Sequence, residues 1–183
     1  MPTPIRSDAQ RTHERIFSAA TSVLTVDAGA GMDAIAQRAG IGRATLYRHF
    51  ATREDLVAAL RERFIGLVEA AAAASIAEDE PREAIRIFIV GVIRAVAVSC
   101  PMSDGRPGPG GEGRTMPAID AAIQRFMERA TTQGSLRPGV DAAWVFIVGK
   151  ALIEATAREI ALGADVDVLA PRAADTVAAA VLH

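Results

Sequence analysis

Apolar residues recur along the chain with the period of an α-helix, and polar or glycine-rich segments interrupt them. Between residues 7 and 26, Ile16, Phe17, Ala20, Val23 and Leu24 fall at i, i+1, i+4, i+7 and i+8, which is one face of a helix. The stretch "DAGAG" at 27–31 stops it. Met32, Ile35, Ala36 and Ala39 mark a short second helix, with Gly40 as its C-terminal stop. A third helix starts after Gly42, and its Leu46 and Phe50, one turn apart, point inward. A fourth opens near Thr52. Glu54 and Asp55 lie in its first turn, where carboxylates meet the positive end of the helix dipole. Its apolar stripe is Leu56, Leu60, Phe64, Leu67 and Val68, and it runs on into the alanines of 69–75.

The same period continues to the end of the chain. Pro81, at a first-turn position, opens a helix that lasts to about residue 99. Residues 118–132 form the next helix, Asp141 is placed to cap a helix over 142–162, and a last helix fills about 170–182. Residues 100–117 hold five Gly and four Pro and read as a loop; 101–114 could cover a ligand cavity or be a disordered connection. No strand alternation, sequence repeat or sustained heptad is present. The expected architecture is all-α, with about nine helices. Three helices make an N-terminal domain over 1–51, whose residues 1–8 are expected to be disordered, and a helical bundle follows over 52–183.

Composition supports a packed core and adds a charge asymmetry. Half of the 183 residues are hydrophobic, enough to bury a core. The net charge of −2 is unevenly spread. Residues 1–63 hold nine Arg against seven acids, whereas residues 64–183 hold eleven cations against fifteen acids. The N-terminal third is thus the basic part, and a local field matters more than the global balance when the partner is a polyanion. Cys100 is the one cysteine, so no intramolecular disulfide can form; a buried thiol suits it better than a redox sensor. The N-terminus lacks a signal-peptide apolar core, and no apolar run reaches membrane-spanning length. A cytoplasmic protein with no membrane partner is expected. His13, His49 and His183 share no metal-ligand spacing with each other or with Cys100, and no phosphate-loop, nucleophile-elbow or dinucleotide fingerprint occurs. The chain is read as a non-enzyme without metal or cofactor.

The candidate chemistry lies in "GIGRATLYRHF", residues 40–50. Two short helices joined by a glycine turn, the second one cationic, make the pattern of a helix-turn-helix whose second helix enters the DNA major groove. With Leu46 and Phe50 inward, Ala44 and Arg48 lie on the opposite side. Arg43 and Tyr47 take one flank, Thr45 and His49 the other. Small Ala44 lets the helix approach base edges, and Arg43 can reach guanine O6 and N7 with two donors. Thr45, Tyr47 and His49 can hold phosphates and so fix the register. Arg53, at the start of the fourth helix, adds a cation beside N-terminal N–H groups, a further phosphate site.

Residues 32–60, "MDAIAQRAGIGRATLYRHFATREDLVAAL", resemble the DNA-binding domain of the tetracycline-repressor (TetR) family of bacterial transcriptional regulators. The residues that carry the resemblance are Ile35-Ala36, Ala39-Gly40, the run from Thr45 to Phe50, and Arg53. It covers roughly residues 10–60. It implies a recognition role for Arg43 and Ala44, and base or phosphate contacts from Thr45, Tyr47, His49 and Arg53. Gly42 stands where the family often has Ser, Arg53 where it usually has Lys, and Gly31 where Thr or Ser usually opens the second helix.

For the remaining two-thirds, the resemblance rests on helix count and order. It implies a domain that dimerises through its last two helices and encloses a ligand cavity. The residues themselves are compatible. The helix at 142–162 is apolar nearly all round at its start and must be covered on several faces. The last helix carries small residues suited to close approach. Val145 and Leu152, with Ala173, Val177, Ala178 and Val181, are the expected interface, two helices from each chain. Packing within the monomer alone is the competing reading. Phe64, Val68, Phe88 and Val92, with Phe126, Met127, Trp144 and Val148, are candidate walls of a pocket for a small-molecule effector; as core residues they would show the same spacing. The functional expectation is a homodimeric, ligand-responsive repressor of a palindromic double-stranded DNA operator, with activation as the other possible sign. Two alternatives stand beside it: a helical binding module or enzyme without DNA function, and a sequence-nonspecific architectural DNA binder. The acidic net charge weighs against the second, because nonspecific affinity comes from neutralised phosphates.

Overall fold

The computed structural model describes residues 4–99 and 117–183, and among these it contains eight helices. They are α1 (Pro4–Val26), α2 (Met32–Ala39), α3 (Arg43–His49), α4 (Arg53–Ala77), α5 (Pro81–Ser99), α6 (Pro117–Thr132), α7 (Ala142–Ala161) and α8 (Val166–Val181). The chain is all-α, as its periodicity implies; one isolated bridge, Leu136 to Leu182, is the extent of β pairing among the described residues. Two element boundaries differ from the sequence reading. The first helix begins at Pro4 rather than Ser7, so residues 4–8, expected outside the ordered part, are helical. The last begins at Val166 rather than about residue 170, because Asp165 caps it by accepting from the Asp167 N–H at 2.8 Å. Pro171 sits inside that helix and removes one backbone donor. Residues 1–3, Cys100 and the loop 101–114 lie outside the described residues.

The described chain divides into two compact units. One holds residues 4–64 with 98–99, the other 65–97 with 117–183. The division falls inside α4, after Phe64. The reason is local: Leu56 and Leu60, in the first two turns of α4, have no exposed surface and belong to the first core.

That first core is built from one stripe on each of four helices: Ile16, Ala20 and Leu24 from α1, Ile35 from α2, Leu46 from α3, and the two leucines of α4. A seven-residue helix such as α3 does not persist alone in water, so its burial through Leu46 and Phe50 is what holds it. The turns are fastened by polar groups. Gly40 ends α2 in the left-handed region (φ 64°), and its N–H reaches back to the last-turn carbonyls. The Arg15 guanidinium on α1 donates to the Ala39 and Gly40 carbonyls at 2.7 and 3.0 Å, pinning that turn from below. Thr52 and Asp55 form a reciprocal capping box at the start of α4, each accepting the other's N–H at 3.0 Å.

In the second unit, Ile85, Ile89 and Ile93 of α5 pack with Phe126 and Ala130 of α6, Val145 of α7 and the small residues of α8. α4 and α5 cross closely: a Cβ added at Gly91 would stand 2.6 Å from the Ala71 Cβ, so only glycine fits there. Arg129 closes the C-terminal end of α4. Its guanidinium, largely buried, donates to the carbonyls of Ile76 (2.6 Å) and Glu78, where the helix leaves carbonyls without internal partners. Asp141 caps α7 through the Trp144 N–H at 2.8 Å, as its position in the sequence indicates.

Candidate nucleic-acid interface

The turn between α2 and α3 spans Gly40, Ile41 and Gly42, and it places α3 with one face inward and the rest outward. Leu46 has no exposed surface and Phe50 very little. Arg43, Ala44, Tyr47 and Arg48 are exposed, while Thr45 and His49 are half-buried at the edges. Six of the seven expected DNA-contacting residues are therefore brought together on one short helix. Gly42 caps α3 in an extended conformation with no side-chain bond, so its lack of a hydroxyl leaves that end of the helix low in profile.

The cations of this face are not all alike. Arg43 Nη1 lies 2.9 Å from Asp33 Oδ2 of α2, and its guanidinium carbon stands 5.6 Å above the centre of the Tyr47 ring. Arg48 donates to the Thr45 hydroxyl at 3.1 Å, one turn back along the helix. Arg53, the seventh expected residue, also makes contacts within the chain. Its Nε donates to the Ala30 carbonyl at 3.2 Å and an Nη to the Ala28 carbonyl. Half-buried, it ties the α1–α2 loop to α4, because that loop presents carbonyls within reach of the first turn of α4.

His49 rests on aromatic neighbours. Its ring centre is 4.9 Å from that of His13 on α1, which also meets Phe17 at 5.7 Å and Phe50 at 5.3 Å. Burial holds the His49 pKa below its ordinary 6.5, and the charges of His13 and Arg48 add to the effect. The sign follows. A depressed imidazole pKa means that the unfolded chain takes up the proton first, so this contribution to stability is present above about pH 6.5 and is lost as pH falls. Thermal unfolding should show it: between pH 7.5 and 5.5 the Tm of the wild type should fall by more than that of His49→Gln. Parallel falls in the two proteins would remove His49 as the cause.

Two residues of this surface escaped the sequence reading. Asp33 and His13 lie ten and thirty-six positions ahead of Arg43 and His49, and only the packing of α1 and α2 on α3 brings them there. No short-range spacing signals either contact.

The other candidates fall as follows. Val145, Ala173, Val177, Ala178 and Val181 are buried in the second core and Leu152 packs against it, so the five have almost no surface left for a partner subunit, in contrast to the expectation. What α7 turns outward is Trp144 and Ile147, 47 % and 54 % exposed. Among the suggested pocket residues, Val68, Val92 and Phe126 are buried, and Phe88, Met127 and Val148 pack on the second core. Half-exposed Trp144 stands apart from that core, and Phe64 lies in the first unit. Among the described residues, no three His, Cys, Asp or Glu side chains group as metal ligands, and no helix is long and apolar enough to cross a membrane.

The family model described as bacterial regulatory proteins, tetR family, matches residues 27–60, which span the α1–α2 loop, α2, α3 and the first turns of α4. Over nearly the whole chain, the solved TetR transcription regulatory protein from Mycobacterium vanbaalenii is 30% identical; the match covers 87% of this chain and 98% of that one, with a TM-score of 0.54. The protein is a member of the TetR family. TetR-family proteins are DNA-binding transcriptional regulators rather than enzymes, and in this regulator α2 and α3 are the helix-turn-helix. The TetR transcriptional regulator SCO0520 from Streptomyces coelicolor is 26% identical, covering 93% of this chain and 98% of that one at a TM-score of 0.57. LfrR, a TetR-like transcriptional regulator from Mycobacterium smegmatis, shares the fold at 19% identity and a TM-score of 0.63, covering 97% of this chain and 99% of that one. No curated protein matches this TetR-family chain in sequence.

Proposed function

We propose that this regulator is a repressor that binds a palindromic operator as a homodimer and releases it when a small, largely apolar effector binds the second unit. The observation that carries the reading is the outward face of α3. A helix anchored by Leu46 and Phe50 presents Arg43, Ala44, Tyr47 and Arg48 together, which is a set suited to one major groove. A single seven-residue helix contacts few base pairs, so two copies about 34–36 Å apart are needed for useful affinity. Trp144 and Ile147 on α7 are the apolar surface that a second copy would cover. The effector part draws on LfrR, whose structure is known in complex with proflavine. A ligand lowers operator affinity only by preferring a state that binds DNA less well.

The test is fluorescence anisotropy with the intergenic duplex beside the protein's own gene and a random duplex, at two salt concentrations. A preference of about 10³-fold or more is expected of a specific reader. Equal, salt-sensitive binding to both duplexes would mark an architectural binder, and no binding to either would mark a helical module without DNA function.

A further inference from the structure

Arg43 reaches the outward face of α3 already paired, and its partner is a residue of the preceding helix. Asp33 sits in the first turn of α2, and its Oδ2 is 2.9 Å from Arg43 Nη1. Both side chains are about two-thirds exposed, 66% for Arg43 and 63% for Asp33. The Tyr47 ring lies under the same guanidinium at 5.6 Å. The fork is thus held on one edge by a carboxylate and on one face by a ring.

Two physical arguments give this arrangement a purpose. An exposed ion pair contributes little to stability, so folding alone gives weak reason for it. A carboxylate on a surface that meets phosphates also opposes binding, since sequence-independent affinity rises with each cation and falls with each anion. What Asp33 does supply is orientation. A guanine is read by two parallel donors of one guanidinium edge. The ion pair at Nη1 leaves the Nε–Nη2 edge outside it, and it biases the position of a side chain that would otherwise contact any nearby phosphate.

We propose that Asp33 is the specificity-determining partner of Arg43: its carboxylate positions the guanidinium for one guanine edge of the site and opposes binding that rests on phosphates alone. This rests on the DNA-reading role of α3. Asp33 touches no base in it; it is a positioning residue that acts through Arg43. The gain comes from ordering the fork before binding, and with two copies on one duplex the effect is doubled.

The experiment is selection from a random-sequence duplex pool by the full-length wild type and by Asp33→Ala, Asp33→Asn and Arg43→Ala. Affinities for the enriched duplex and for a random duplex are then measured. Arg43→Ala identifies the base pair that Arg43 reads, as the position whose preference disappears. In Asp33→Ala the preference at that same pair should weaken while the other positions keep theirs. The ratio of specific to random affinity should fall about tenfold, through tighter binding to the random duplex. Asp33→Asn keeps an acceptor at that place and should retain more of the preference. An unchanged selected sequence, with affinity for both duplexes rising by the same factor, would reduce Asp33 to a charge and overturn the proposal. Failure of the wild type to enrich any sequence would overturn the DNA-reading role and this proposal with it. A dead Asp33→Ala beside an active wild type and Asn variant would instead indicate a damaged fold, which circular dichroism shows directly; Asp33→Asn then decides the proposal by the same comparison of selected sequences and affinity ratios.

Discussion

Arg43→Ala should lower affinity for a specific duplex by roughly 30- to 25,000-fold. Each bidentate arginine–guanine pair contributes about 1–3 kcal/mol of discrimination, and a symmetric site holds two of them. Binding to a random duplex should fall far less, and the slope of log affinity against log salt should drop by about one for each phosphate that is no longer neutralised. The residue is exposed and lies at the first position of α3, so the fold should tolerate its removal. Circular dichroism and anisotropy on the same preparation check both parts. Equal losses on specific and random duplexes would show that Arg43 holds phosphate rather than base. No loss on either would take α3 out of the interface.

Leu46→Ala should have the largest effect on the fold, and through it on DNA binding. Leu46 has no exposed surface and is the central anchor of a seven-residue helix in the first core. Truncating such a leucine costs about 2–5 kcal/mol, because the neighbours close the cavity only in part. That is a large fraction of the roughly 5–15 kcal/mol typical of a folded protein, and the first unit is small. The expected result is early melting of that unit and loss of DNA binding with every exposed residue of α3 still present. Leu46→Met, which keeps the volume, should cost less than about 1.5 kcal/mol and bind DNA nearly as the wild type does. Amide exchange along α3 is the measurement. Protection in Leu46→Ala equal to that of the wild type would mean that α3 is held by something other than this side chain.

Together the two variants separate what α3 displays from what holds it in place. Arg43 is a displayed group whose loss leaves the helix intact, and Leu46 is an anchor whose loss removes the display. Arg53 has an anchoring part as well as the charge and position that mark it for the display. The carbonyls of Ala28 and Ala30 hold its guanidinium, so it serves the loop ahead of α2.

Much of this was legible in the chain itself. Helices are written in short-range periodicity, and the run Ile16, Ala20, Leu24 or the pair Leu46, Phe50 declares a buried face without reference to anything distant. Turn chemistry is local too. Gly40 takes a backbone conformation that suits glycine, and Asp141 caps the helix it precedes. The α3 display was readable for the same reason, since residues 43–49 lie on one helix whose inward side is known once Leu46 is placed.

Local sequence thus specifies which residues form helices, which side of each is buried, and which helix carries the exposed cations. What each buried side is buried against is a property of the folded chain alone. Periodicity marked Ala173, Val177 and Val181 as covered, and packing covered them within this chain. Packing likewise set Asp33 beside Arg43, His13 beside His49, and the carbonyls of Ala28 and Ala30 beside Arg53. These pairings join residues ten to thirty-six positions apart, and no local propensity encodes them. They arise when several apolar stripes share one core, and that sharing fixes which polar groups meet at its edge.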